Sequence, residues 1–320
     1  MLTSPDSRSY FPVLYLLLKV VSAVGMGLVL KHADARSLDR LPLIRTNYAV
    51  AAVIGFFAAV ALGQTRISGP SLLLAAVTGV LFVAGLLIWT RAIHAAGLAL
   101  SVVAMRTAVV IPLFAAALIW HEQPSMLELA GSFVALLALS LVLSEVARRQ
   151  TSVGDNTTAK TEPGSVLIAH RSSLITSSAL PWLLLLFLAD GLVMVPALIF
   201  RKELPLSETM PFQTVIFVTA FFVTTLLYYV RRPRLTSETL KWGALLGTAN
   251  LGNYLFLVLA LSVLPGLAVY PAIAAGEVGL MALAGVVLWK EKVGIRSWLG
   301  IALAILALIL IQLGRGAAAQ

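Results

Sequence analysis

Cysteine is absent from this 320-residue chain, which excludes disulfides, thiolate metal sites and thiol chemistry. Charge is scarce: 12% of residues are Asp, Glu, Lys or Arg, against 60% hydrophobic. The four histidines lie far apart in loops or at helix ends, without the HExxH spacing of a zinc hydrolase. No phosphate-cradling P-loop is present, so ATP-driven work by this chain is not expected. These absences leave no enzyme class with a motif to support it, and no resident cofactor or metal is expected.

What is abundant is apolar length. The mean hydropathy is +0.97, more than a soluble core requires, so the expected solvent is lipid. A spanning helix takes about 20 apolar residues. Ten such segments can be read, at roughly 11–30, 43–62, 71–93, 98–119, 127–146, 179–200, 210–230, 241–262, 265–288 and 296–314. The first is too long for a signal-peptide core and is interrupted by Lys19, so it reads as a retained helix. The predicted fold is an all-α polytopic membrane protein.

One long polar stretch divides the chain. Residues 147–178, rich in Ser, Thr and Gly, read as a flexible linker between a first unit at 1–146 and a second at 179–320. The two units repeat one pattern 169 residues apart: Trp120-His121-Glu122 returns as Trp289-Lys290-Glu291, Gly131 as Gly300, and Gly97-Leu98-Ala99 as Gly266-Leu267-Ala268. Each unit holds five segments, an odd number, so the second is expected to enter the bilayer the opposite way up. Inverted repeats of this kind are a recurring build of secondary transporters, with the site between the halves.

Charge agrees with inversion. The second and fourth loops carry one and no Lys or Arg in the first unit, but four and three in the second. Loops after odd-numbered segments hold 16 bases in all and the opposite side five. The positive-inside rule then puts both termini outside. The net charge of +9 therefore reads as membrane topology rather than nucleic-acid binding.

A charge in hydrocarbon is costly unless paired or watered. Lys19, Arg106, Asp190 and Glu277 all fall about 12–18 Å along their helices from the start, near the midplane. Corresponding segments pair one base with one acid, Lys19 with Asp190 and Arg106 with Glu277. Two readings stay open. These residues line a polar cavity for a zwitterionic or amphipathic solute, with a carboxylate carrying a coupling proton; or they pair with each other and lock helices together. Arg45, one turn inside a segment end, can snorkel to the interface.

Asn250, Asn253 and Tyr254 share one face of the eighth segment, and Tyr270 lies two turns before Glu277 on the same side of the ninth. With Lys19, Arg106, Asp190 and Glu277 these four are the candidate substrate- or ion-binding residues. Thr78, Phe82, Gly85 and Trp89 form a stripe on the third that reads as packing. Gly243 and Gly247 read as a seat for a neighbouring helix rather than a dimer contact. Pro112, Pro196, Pro211 and Pro271 are expected to loosen or kink their helices.

At these residues the chain resembles the EamA-type branch of the drug/metabolite transporter superfamily. Ile119-Trp120-His121-Glu122 followed by Gly131, and Leu288-Trp289-Lys290-Glu291 followed by Gly300, are similar to its half-ending pattern. Arg45, Asn47-Tyr48, Asn253-Tyr254 and Val269-Tyr270-Pro271 also resemble positions in that branch, although the usual Trp-Gly pair of the first helix is missing. The resemblance implies ten helices in two inverted five-helix repeats, a path lined by the first, third, fourth, sixth, eighth and ninth helices, and termini in the cytoplasm, against the charge count. It implies a permease in a bacterial inner membrane. The expected partners are a small-molecule solute, protons and the bilayer, with a homodimer left open. The function expected is export of a small metabolite or amphipathic compound by proton coupling or exchange. The alternatives are an antiporter of phosphorylated or nucleotide-linked solutes, using Lys19, Arg45 and Arg106, and a membrane receptor or scaffold.

Overall fold

The structure, a computed structural model, describes residues 11–96, 98–141, 166–231, 233–289 and 295–318. The regular structure among them is entirely helical: α1 Phe11–Ala35, α2 Arg40–Ala61, α3 Gly69–Ala96, α4 Leu98–Thr107, α5 Val110–Leu118, α6 Met126–Leu141, α7 Val166–Glu203, α8 Thr209–Arg231, α9 Ser237–Val263, α10 Gly266–Trp289 and α11 Ile295–Ala318. Among the described residues six helices are long and apolar enough to cross a membrane, and four further apolar stretches of 10–17 residues lie at 104–118, 126–141, 266–281 and 298–311. The outer surface carries Phe57, Leu73, Phe222 and Leu226, each about two-thirds exposed. An apolar exterior of that extent belongs in lipid. The fold is that of a polytopic helical membrane protein.

Two expectations need correction. Residues 166–178, read as linker, are helical and begin α7. Their polar serines and threonines suggest a loop, but no proline or glycine interrupts the run from Val166 to Leu180. The fourth segment, expected as one helix over 98–119, is broken between α4 and α5. Pro112 has no N–H and its ring crowds the carbonyl four residues back, that of Ala108. That carbonyl instead accepts a short-range bond from the Ile111 N–H at 3.0 Å. Pro211, by contrast, sits in the first turn of α8, where a missing N–H costs nothing, and no kink is required there. Glu291 and positions 142–165 lie outside the described residues.

Packing runs mainly between the two units. The helix α1 lies on α9 and α3 on α7, α2 on α9 and α3 on α8, and α2 on α8. Glycines make these approaches possible. A Cβ on Gly247 of α9 would stand 2.5 Å from the Asn47 carbonyl of α2, and one on Gly79 of α3 would stand 2.5 Å from the Ile216 carbonyl of α8. Asn47 and Ile216 are 169 positions apart, Gly79 and Gly247 168. Gly243 seats against Leu43 and Thr46 of the same α2. The small-xxx-small pair thus serves an internal seam.

Side chains draw the loops together at two ends. At one end, Ser68 donates to Glu208 at 2.8 Å, Trp120 to Glu203 at 2.7 Å and Arg201 to the Ser262 carbonyl at 3.1 Å. At the other, Arg36 pairs with Glu238 at 2.6 Å and Arg45 donates to Thr225 at 3.1 Å. The second end carries Arg36, Arg40, Arg45, Arg231, Arg234 and Lys241. Placing any side chain at Gly247 overpacks a backbone contact, a class of change that costs about 1–3 kcal/mol. Gly247→Val is expected to lower the melting temperature of the detergent-purified protein. Gly25→Ala, where nothing lies within 4 Å of the added carbon, is expected to leave it unchanged or raise it.

Candidate functional site

Four charged side chains meet inside the bundle, one each from α1, α4, α7 and α10. Glu277 of α10 is 4% exposed and Lys19 of α1 is 8% exposed. One carboxylate oxygen of Glu277 accepts from Lys19 Nζ and the other from an Arg106 Nη. Arg106 occupies the last turn of α4, where the unpaired carbonyls of the helix end favour a cation. The helix break at Ala108 therefore ends α4 where a positive charge is needed. The Arg106 side chain keeps 30% exposure, against 11% for Lys19 and 5% for Glu277.

Asp190 on α7 lies within electrostatic reach of Arg106, Glu277 and Lys19. Among the described residues it has no hydrogen bond or ion pair. Beside it, Gly191 lets Ile111 of α5 ride directly on α7; a Cβ there would meet the Ile111 side chain at 2.3 Å. The two helix seams that hold the acids are thus both close-packed: Gly276, next to Glu277, faces Val20 of α1 at 3.0 Å in the same sense.

The other sequence candidates disperse. Asn250 is buried and donates to Asn47 Oδ1 of α2 at 3.2 Å. Tyr254 enters an aromatic cluster, its ring 5.8 Å from Phe82 and 6.4 Å from Phe212. Tyr270 donates to the Met194 carbonyl of α7 at 3.1 Å and ties α10 to it. Asn253 stands apart. Its Oδ1 is buried without a partner among the described residues, as is the Tyr254 hydroxyl. Gln213 of α8, fully buried with neither amide atom partnered among those residues, was missed by sequence reasoning. The signal was available, since a glutamine inside an apolar segment carries the same cost as an asparagine. Buried polar groups are nearly always satisfied, and among the described residues His32 Nε2, Trp89 Nε1 and Arg201 Nε are likewise without a hydrogen-bond partner.

Glu122 was legible as a motif but not as a contact. Its Oε2 accepts the Leu267 N–H at the start of α10 at 3.1 Å, and its Oε1 pairs with Lys202 at 2.8 Å. No aligned hydrogen bond reaches that second oxygen, so charge rather than direction makes the pair. A carboxylate at a helix N-terminus satisfies an orphan donor and the helix dipole together. Pro271 cannot donate to the Leu267 carbonyl four residues back. Ser132 of α6 donates to it instead, at 2.8 Å.

A cavity of about 110 Å³ at the base-rich end is lined in part by Arg40, Trp89, Asn47 and Asn250. The Arg40 guanidinium lies 5.6 Å from the Trp89 ring centre. A larger groove of about 760 Å³ runs between α5, α6 and α10, but it is lined almost wholly by apolar residues such as Phe114, Met126 and Phe133, and none of the four charged side chains lines it. Its chemistry is that of the acyl chains outside, so the charged cluster is the candidate site.

No known family profile matches the chain. An uncharacterized protein of Haemophilus influenzae is 24% identical over 298 residues, 89% of this chain and 93% of its own. A crystal structure of another protein superposes with a TM-score of 0.68 at 14% identity, covering 97% of this chain and 98% of that one. That similarity shows the fold alone.

Neutralising Glu277 would strand a buried ammonium. Breaking one side of a buried pair typically costs about 3–5 kcal/mol. Glu277→Gln is expected to destabilise the purified protein strongly, and Lys19→Met combined with Glu277→Gln to recover part of the loss. Equal melting temperatures for the single and double variants would contradict the buried pair.

Proposed function

We propose that this chain is a secondary transporter of a small polar or amphipathic solute, working by alternating access around Lys19, Arg106, Asp190 and Glu277. The observation that carries the reading is this cluster: four charges from four helices meet inside an apolar bundle, and one acid, Asp190, makes no hydrogen bond or ion pair among the described residues. A purely structural lock has no use for an acid outside the ion pairs or for the partly exposed side chain of Arg106. A receptor or scaffold has no use for them either.

On this reading the ten apolar segments form two inverted five-helix repeats. Three observations support it: the 169-residue sequence repeat, the loop-by-loop reversal of basic charge, and the matched glycine seats of Gly79 and Gly247. The resemblance to EamA-type permeases adds to it and suggests a bacterial inner membrane. The roles of the two acids differ. Glu277 holds two cations and anchors α1 and α4 to α10; Asp190 is the acid available to a proton or to the ammonium end of a solute. The orphan amides of Gln213 and Asn253 and the Tyr254 hydroxyl offer further bonds to a polar solute. The antiport of phosphorylated solutes loses its third cation, because Arg45 lies on the α2–α8 seam, bonded to Thr225, and not with Lys19 and Arg106.

The test is resistance conferred by overexpression, across amino acids and analogues, nucleosides and cationic drugs, followed by flux in proteoliposomes. Protection against one class is expected, and Asp190→Asn is expected to abolish proton-driven flux while the protein folds and still binds solute. Flux that stays proton-driven in Asp190→Asn would remove that role from Asp190. No flux of any class by folded, reconstituted protein would remove the transport reading.

A further inference from the structure

The Arg45 side chain is built into a clamp that nothing in the transport cycle uses. Arg45 lies in the second turn of α2, about 7–8 Å along the helix from its start. Its Nε donates to Thr225 Oγ1 of α8 at 3.1 Å. Its guanidinium carbon sits 4.7 Å from the Tyr228 ring centre and 5.4 Å from that of Phe221. Two rings and a hydroxyl hold the group in one orientation, and ring contacts of this kind favour the cation without neutralising it. No carboxylate among the described residues pairs with it. Glu238, the acid at this end that faces a base, is taken by Arg36 at 2.6 Å.

The clamp has one polar neighbourhood and one apolar one. Arg40, Arg231, Arg234 and Lys241 stand at the same end of the bundle. Next to the clamp residues on α8, Leu226 and Tyr229 are each about two-thirds exposed, and on α2 Val53 and Phe56 are more than half exposed. A guanidinium at an interface, with its fork of terminal nitrogens unpaired among described residues, matches the paired oxygens of a phosphate. The apolar faces below it match acyl chains. A lipid binds the fork with its headgroup and lays its chains on these bilayer-facing residues at once, which a free anion does not.

We propose that Arg45, Thr225, Phe221 and Tyr228 seat the phosphate of an anionic phospholipid on the α2–α8 seam. This site rests on the membrane reading of the fold and is independent of the transport reading. The Arg45 fork binds the phosphate oxygens and the aromatic rings fix the fork, so the lipid staples the basic ends of α2 and α8.

Native mass spectrometry of the full-length protein, titrated in detergent with phosphatidylglycerol or phosphatidylcholine, tests the site. The unaltered protein is expected to retain one phosphatidylglycerol in preference to phosphatidylcholine. Loss of a charge-assisted bidentate contact is expected to weaken that binding by about tenfold or more in Arg45→Gln. Arg45→Lys should fall between, and Arg36→Gln, at the same end but already paired, should match the unaltered protein. Should Arg45→Gln fail to fold, Tyr228→Leu and Thr225→Val loosen the clamp and carry the same expectation in smaller degree. Equal retention of phosphatidylglycerol across folded clamp variants overturns the proposal, as does equal binding of the two lipids. Displacement by millimolar inorganic phosphate would reassign the clamp to a free anion and overturn the lipid as its occupant.

Discussion

The carboxylate of Glu277 organises the bundle. It is held by an ammonium from α1 and a guanidinium from α4, 4% exposed, among helices with apolar outer faces. Taking such charges out of water costs several kcal/mol per ion, which is recovered only if each finds its counterpart in good geometry. That requirement sets the positions of three helices at once. It fixes where α4 must stop, because Arg106 does best at a helix C-terminus, and Pro112 supplies the stop. It also demands close approach of α1 and α10, which Gly276 permits against Val20. Hydrophobic packing alone discriminates weakly between helix registers in a lipid-facing bundle, since tails outside are as apolar as side chains inside. The ion pairs select one register.

The same accounting explains the remaining polar contacts. Each proline that breaks a helical bond leaves a carbonyl that needs a donor, and each helix start leaves donors that need an acceptor. Ser132 answers the Leu267 carbonyl and Glu122 the Leu267 N–H, so one residue of α10 is satisfied on both sides from the α5–α6 region. Asn250 and Asn47 answer each other. Not every buried polar atom is answered in this way: Gln213, the Asn253 carbonyl oxygen and the Tyr254 hydroxyl, with His32 Nε2, Trp89 Nε1 and Arg201 Nε, have no hydrogen-bond partner among the described residues.

What could be read from sequence follows from the same physics. Lys19, Arg106, Asp190 and Glu277 were legible because a charge inside an apolar run is conspicuous without any alignment, and all four meet in space. Gly243 and Gly247 were legible as a helix seat for a similar reason, small residues repeating at one face. Asn250, Asn253 and Tyr254 share a face in the sequence but meet different neighbours, since helical spacing says which residues look the same way but not how many elements that face meets. Asn250 looks to α2, while Tyr254 packs on Phe82 of α3 and Phe212 of α8. The helical start of α7 was hidden because serine and threonine suit both a linker and a helix whose register tertiary packing decides. Glu122 was visible as part of a repeated motif, but its partner, a backbone N–H 145 positions away, has no signature in composition.

The two ends of the bundle are not held equally. At one end Glu122, its side chain 4% exposed, joins the α5–α6 connection to both α7 and α10, and Trp120 and Arg201 add two further bonds. At the base-rich end the corresponding ion pair, Arg36 with Glu238, is about half exposed. Exposed pairs contribute at most about 1 kcal/mol, whereas buried charged contacts contribute severalfold more when broken on one side. Below that weak pair a small cavity already runs in beside Trp89 to the Asn47–Asn250 bond. If the helices rock about the Glu277 cluster, the base-rich end parts first, because separating it exposes groups that are already partly wet. Opening the other end requires stripping Glu122 from a helix N-terminus and a lysine together; on the proposed transport reading, a solute or proton at Asp190 has to shift the balance of charges around Glu277 before that step is favoured.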